Sequence, residues 1–140
     1  MTLKDTLLFQ NARFYETFEK RDLDTMKELW SSTSHITCIH PGWALLSGRK
    51  AVMESWERIF EGEVTMTFAL RNVRAEIFGN VGVVTLHEEV TQHSGRIVNT
   101  GTVIATNIFE NEGRDWKMIH HHGSPMVVIE EQDGERFRLN

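Results

Sequence analysis

Cross-links, breaks and basic tracts are all scarce in this sequence. Cys38 is its one cysteine, so no internal disulfide can form. Two prolines and ten glycines are spread along 140 residues, and no Pro/Gly-rich linker, repeat or low-complexity segment divides them. The 15 basic residues are outnumbered by 20 acidic ones and form no cluster, which argues against a nucleic-acid backbone as partner. The opening stretch, Met1 to Gln10, alternates polar and apolar residues and lacks the apolar run of a signal peptide or membrane span. A cytoplasmic, reducing setting is therefore expected, with no membrane partner.

What remains is an ordinary globular composition, 40% hydrophobic and 25% charged, which disfavours disorder. The length suits one domain with one core. Leu3, Leu7, Phe14 and Phe18 mark the apolar stripe of a first helix. Leu23, Met26, Leu29 and Trp30 predict a short second helix, with Asp22 as its N-cap. His35 to His40 reads as a strand with Ile36, Cys38 and His40 on one face, broken by Pro41 and Gly42. A third helix is expected from about Arg49 to Phe60.

From Val64 the hydrophobic period changes to two. Val64, Met66, Phe68 and Leu70 alternate, and Val73, Ala75 and Ile77 then alternate in the opposite parity. A parity switch near Arg71 and Asn72 is the signature of a β-bulge, which curves a sheet. Strands from Val81 to about His93, Ile97 to Phe109 and Trp116 to His122 follow, joined by tight turns. Helices followed by a bent meander predict an α+β domain, a curved antiparallel sheet wrapped around N-terminal helices. The domain spans residues 1–125. Residues 126–140, with Glu130, Glu131, Asp133 and Glu135, read as an acidic C-terminal tail, although Met126 to Ile129 also suits a continuation of the last strand.

This order of elements resembles the nuclear transport factor 2-like superfamily, in its SnoaL-like and ketosteroid-isomerase-like branch. The resemblance runs from about Leu3 to Pro125. It is carried by His40-Pro41-Gly42-Trp43, by Ser47-Gly48-Arg49 and by Ser55-Trp56 with Ile59-Phe60. The stretch from Ala105-Thr106-Asn107 through Trp116 to His120-His121-His122-Gly123-Ser124-Pro125 is the most telling. It implies a cone-shaped α+β barrel with a pocket on the concave side of the sheet, the helices as its lid, and a homodimer through the opposite face. It does not choose among the isomerases, cyclases, dehydratases, hydrolases and noncatalytic proteins that share this scaffold.

Glu88 is the first candidate for chemistry. It alternates with Val84, Leu86 and Val90, so its carboxyl would be desolvated and its pKa raised toward that of a working acid or base. A solvent-facing strand end or an arginine partner is the bland reading. Asn107 shares a face with Val103, Ala105 and Phe109, and either bonds a neighbour or orients a ligand. Simple alternation puts His120 and His122 on one face with Trp116 and Met118, and His121 opposite with Lys117 and Ile119. His120 is thus a second catalytic candidate and His122 a pocket-lining one, with His121 toward a dimer face. A metal bound by His120 and His122 with His40 or Glu88 is conceivable, but no metalloprotease helix motif is present. Hydrogen bonding or pocket lining is the preferred reading, and no metal or cofactor is expected.

His40 and Trp43 flank the mouth implied by the Pro41-Gly42 turn, Trp43 either offering flat apolar area to a ligand or packing on the third helix. Cys38 and His40, two apart on a strand, raise the idea of a thiol nucleophile, but nothing orients the histidine and a buried core cysteine is preferred. Ketosteroid-isomerase chemistry calls for a carboxylate base and an oxyanion pair with a tyrosine. The single tyrosine, Tyr15, lies on the first helix, and a scytalone-dehydratase His/Asp pair with tyrosines is not evident. The expectation is a small, mostly apolar ligand with proton-transfer chemistry of the isomerase or dehydratase type. The alternative is a noncatalytic ligand-binding or dimeric protein-interaction module.

Overall fold

The computed structural model describes residues 1–130 and 136–139. Helix α1 (Leu3–Lys20) starts at a capping box in which Thr2 and Asp5 each bond the other's backbone N–H. It ends where Arg21 turns left-handed at φ 53°. Its inward face carries Leu7, Asn11, Phe14 and Tyr15, all buried. Leu3 and Phe9, by contrast, are exposed. Helix α2 (Leu23–Leu29) begins at Asp22, whose side chain accepts from the Thr25 N–H. Helix α3 (Arg49–Glu61) buries Val52, Met53, Ser55 and Trp56.

Six strands form the main sheet: β1 (Thr37–Ile39), β2 (Leu46–Ser47), β3 (Thr65–Phe78), β4 (Val81–Ser94), β5 (Ile97–Glu112) and β6 (Asp115–Pro125). Their order is β2-β1-β6-β5-β4-β3. The meander β3 to β6 is antiparallel, as its tight turns require. Two expectations are corrected. The sheet is mixed, because β1 lies parallel to β6. It is also open rather than a barrel, because its terminal strands β2 and β3 do not pair. With two residues, β2 offers too little edge to close a ring against a strand of fourteen.

The parity switch in β3 is real. Register against β4 shifts between Arg71 and Arg74, with Asn72 at φ 54°. Phe68 and Leu70 before it, and Ala75 and Ile77 after it, all pack against the core. A second bulge lies between β5 and β6: Phe109 faces Met118 but Ile108 faces His120, so Ile119 is left over. This bulge decides which histidine points inward.

Helix α1 crosses the concave face, packing on β3, β4 and β6. The core beneath it is aromatic at its centre, with Phe14 edge-on to Tyr15 at 4.9 Å and to Trp56 at 5.6 Å. After Pro125, β7 (Val127–Glu130) pairs with β8 (Arg136–Leu139) in a separate two-stranded sheet. The chain after Pro125 thus forms a strand, but one that pairs within the tail. The Met126 N–H reaches back to the main sheet, donating to the Thr102 carbonyl at 2.9 Å. Glu131, Asp133 and Glu135 lie outside the described residues.

Candidate functional site

Strand pairing sets the faces. Glu88 sits on β4 in line with Val84 and Leu86, all with their side chains buried. Val84 pairs with Asn107 on β5, Asn107 with His121 on β6, and His121 with Cys38 on β1. Paired residues share a face, so Glu88, Asn107, His121 and Cys38 all point inward. His120 and His122 therefore point outward. The bulge at Ile119 reverses the alternation carried over from Trp116 and Met118, which corrects the inward placement expected for these two and the outward one expected for His121. His120 bonds Thr37 Oγ1 through Nδ1 at 2.6 Å, and its ring stands edge-on to that of His122 at 6.2 Å.

The inward polar groups form one directed chain. His121 Nδ1–H donates to Asn107 Oδ1 at 2.5 Å. The Asn107 amide donates to Asn11 Oδ1 at 2.9 Å and to the Tyr15 oxygen at 3.1 Å. The Tyr15 hydroxyl in turn donates to Glu88 Oε2 at 2.5 Å. Each step follows from what each group can do: a carbonyl oxygen only accepts, and a tyrosine that already accepts from an amide has one proton left to give. All five side chains are at most 4% exposed, so each bond is made in a dry, low-dielectric setting.

Burial shapes the ionisation of this group. It raises Glu88 to about 7, against the opposing pull of the Tyr15 hydrogen bond. The His40 imidazole is lowered to about 4, again by burial. His121 lies well below its ordinary value, through burial first and then the neighbouring imidazoles of His40, His120 and His122. Tyr15 is held well above 10 by burial and by the Glu88 charge. At neutral pH both inward histidines are therefore neutral, and Glu88 is divided between its two forms.

Above this chain the sheet, α1 and α3 enclose a cavity of about 470 Å³. Glu88 and His121 lie in its wall with Phe18 and Phe68, and His40 and Trp43 stand on the side of the Pro41-Gly42 turn. That turn needs Gly42 at φ 81° to bring the Trp43 N–H onto the His40 carbonyl at 2.8 Å. His40 lies edge-on to Trp43 at 4.8 Å and to Trp56 at 4.7 Å. Its Nε2 sits 2.9 Å from Ser55 Oγ. The Ser55 proton goes to the Val52 carbonyl at 2.6 Å, so His40 is the donor in this pair.

Of the residues singled out in the sequence, Glu88, His40 and Trp43 line the cavity. Asn107 lies one hydrogen bond behind it, and His120 and His122 are on the other face. Reading the sequence missed three members: His121, Tyr15 and Asn11. The helix stripe held a signal for two of them, since Asn11 and Tyr15 are four apart and interleave with Leu7, Phe14 and Phe18. The Cys38 thiol, 3.6 Å from His40 Nε2, is pushed up to about 12 by burial, so it stays protonated and is no nucleophile. Among the described residues, no three His, Cys, Asp or Glu side chains are grouped to hold a metal ion, and no helix is long and apolar enough to cross a membrane.

An open, curved sheet with helices over its concave face and a carboxyl at the foot of the hollow defines a small α+β cavity domain. The chain belongs to the family described as the SnoaL-like domain, whose model matches residues 9–128, within the NTF2-like superfamily. It is similar to the F-box protein SKIP8 of Arabidopsis thaliana, with 31% identity over 122 residues, or 87% of this chain and 50% of that protein. It thus spans about half the length of the curated relative it matches. A solved Streptomyces avermitilis structure, provisionally described as an NTF2-like dehydratase, superposes with a TM-score of 0.83 at 30% identity, covering 89% of this chain and 96% of that one. A Thiobacillus denitrificans structure is provisionally described as a calcium/calmodulin-dependent protein kinase type II association domain. It superposes with a TM-score of 0.69 at 29% identity, covering 84% of this chain and 93% of that one.

Proposed function

We propose that the cavity binds a small, mostly apolar molecule and that Glu88 exchanges a proton with it, in chemistry of the isomerase or dehydratase type. One observation carries this reading: a buried carboxyl in the cavity wall, raised to about 7, that donates and accepts with near-equal ease at neutral pH. Oε2 is occupied by Tyr15, which leaves Oε1 as the oxygen free to meet a ligand. Ionised, Oε1 takes a proton from the bound molecule; protonated, it returns that proton to another atom of the same molecule. A dehydratase needs both steps, removing hydrogen from carbon and giving it to a departing hydroxyl. The likeness to the Streptomyces avermitilis structure supports this direction. Asn107 and Tyr15 act as positioning residues, holding the carboxyl in one rotamer.

The test is turnover and binding in Glu88→Gln, which keeps an acceptor for Tyr15 but cannot ionise. Retained ligand binding with turnover lost is the expected result. Unchanged turnover by the variant would remove Glu88 from the chemistry, and retained binding in a protein with no turnover of its own favours a noncatalytic pocket.

Two further properties belong to the same proposal. The domain works in a cytoplasmic, reducing setting, where its one thiol needs no partner. Two copies pair through the convex face, where Ile104 and Ile108 stand among half-buried neighbours. The likeness to a structure described as an association domain supports the pairing. Light scattering of Ile108→Lys against the unchanged chain tests it: a monomer only in the variant supports the pairing, and a monomer in both refutes it.

A further inference from the structure

The cavity has one ionisable carboxyl and, among the described residues, no lysine or arginine in its wall. A buried carboxylate is ordinarily matched by a cation. The groups facing Glu88 can be taken element by element. From α1 comes the Tyr15 hydroxyl, which donates but carries no positive charge. From the turn after β1 comes His40, and from β6 comes His121, both in the cavity wall. His40 spends its one proton on Ser55 and His121 spends its own on Asn107, so neither imidazole brings a charge or a free N–H. β3 contributes Met66 and Phe68, β5 contributes Val103, and α3 contributes Ile59. The rim polar groups are neutral amides and hydroxyls such as Gln92, Asn99 and Thr102. Among the described residues, no counter-charge faces Glu88.

The walls fit the missing group. Phe18 and Phe68 meet at 4.7 Å between ring centres and both line the cavity, as does Trp43 at its mouth. Aromatic faces attract a cation and tolerate the hydrocarbon attached to it. They offer nothing to a carboxylate or phosphate, and at the cavity foot the one hydrogen available to such a group is that of Glu88 in its protonated form.

We infer that the molecule bound in this cavity carries a basic nitrogen, held as its ammonium form against Glu88 and between aromatic rings. The inference rests on the reading of the cavity as the binding site and of Glu88 as its proton-exchanging group. The step balances simply: the O–H bond of protonated Glu88 breaks, an N–H bond forms on the free-base nitrogen, and the two resulting charges pair. Anionic ligands are disfavoured by the same arrangement, since ionised Glu88 repels them.

The experiment uses calorimetric titration of the full chain with three probes on one carbon skeleton: phenylbutylamine, phenylbutanol and phenylbutyrate. Two variants accompany it. Glu88→Gln removes the charge. Gly101→Trp fills the cavity, since Gly101 lines it and a Cβ there meets nothing within 4 Å. At pH 8 the amine is expected to bind about tenfold tighter than the alcohol, the difference between a charge-assisted and a neutral hydrogen bond. That preference should vanish in Glu88→Gln, and all binding should vanish in Gly101→Trp. Amine affinity should also fall below pH 7, where Glu88 must first lose its proton to solvent before its carboxylate can pair with a ligand that is already charged. Alcohol or butyrate binding as tightly as the amine, and blocked by Gly101→Trp, overturns the nitrogen and leaves the cavity reading intact. Binding indifferent to Gly101→Trp, or no binding by any probe, overturns both.

Discussion

The Tyr15 hydroxyl lies 2.5 Å from Glu88 Oε2, tying the first helix to the fourth strand through one buried bond. The phenol ring also packs on Phe14 and Phe68. Ring packing and hydroxyl function are therefore separable. In Tyr15→Phe the contacts stay and the donor goes, so Glu88 loses the one bond that lowers its pKa and should titrate above 7. The Asn107 amide also loses an acceptor, and stability should drop by about 1–3 kcal/mol. NMR titration of the Glu88 carboxyl carbon reads the first effect and urea denaturation the second. A Glu88 pKa that stays put or falls refutes the bond's electrostatic role.

Glu88 and His40 impose opposite slopes on stability against pH. Glu88 ordinarily titrates at 4.5 and in the fold at about 7. Between these values the folded state holds more protons, so this contribution is full below 4.5 and is lost as pH rises through 7. His40 moves from 6.5 down to about 4. Its contribution is full above 6.5 and is lost as pH falls through 4. Glu88→Gln should leave stability near that of the unchanged chain at pH 4 and raise it by up to about 3 kcal/mol at pH 8. With the carboxyl gone, the remaining profile should climb between pH 4 and 6.5. Guanidinium denaturation across this range is the measurement, and a variant less stable at pH 8 contradicts the assignment.

Asn107 bonds three partners at once, and its removal strands all of them. Asn107→Ala leaves His121 Nδ1–H, Asn11 Oδ1 and the Tyr15 oxygen without their partner. The expected loss is about 3 kcal/mol or more, since each orphaned buried group carries its own desolvation cost. Asn107→Asp offers acceptors in both directions and should not restore it. Denaturation of both variants decides the point; a loss under 1 kcal/mol would mean that the chain of bonds contributes little to folding.

Gly82 on β4 is a steric requirement. A Cβ there would sit 2.6 Å from Leu7 Cδ2 and 2.8 Å from Cδ1, and Leu7 is fully buried under α1. Gly82→Ala should therefore destabilise by about 1–3 kcal/mol through overpacking. Pairing it with Leu7→Ala vacates the space, so the double variant should be more stable than the sum of the two single losses implies. Simple additivity would show that α1 does not press on β4 at this point.

How much of this was readable beforehand depends on what each stretch of side chains encodes. The bulge at Arg71 to Arg74 was visible because apolar residues flank it on both sides and change parity across it. The bulge at Ile119 was not, because three histidines follow it. An imidazole suits a dry or a wet face equally, so the run carries no parity of its own, and the faces of His120, His121 and His122 were read the wrong way round. Glu88 was legible because three aliphatic neighbours enforce its direction. Tyr15 and Asn11 were on a recognisable helix stripe, but their partners lie more than seventy residues away along the chain, and helical spacing names a face without naming what it meets. The parallel entry of β1 beside β6 is likewise a pairing between distant segments that local pattern does not encode.

That parallel pairing makes β1 depend on β6, which follows all the other strands of the main sheet in the chain. Thr37 to Ile39 emerges early in synthesis, yet its neighbour is His120 to His122, and β1 has no other long strand to lean on. Until the closing meander has formed, the segment bearing His40 waits beside an unfinished edge, while the segment bearing Glu88 already has β3 at its side. A chain halted before β6 would hold most of the residues that line the hollow, yet lack His121 and the strand that seats β1 beside the meander.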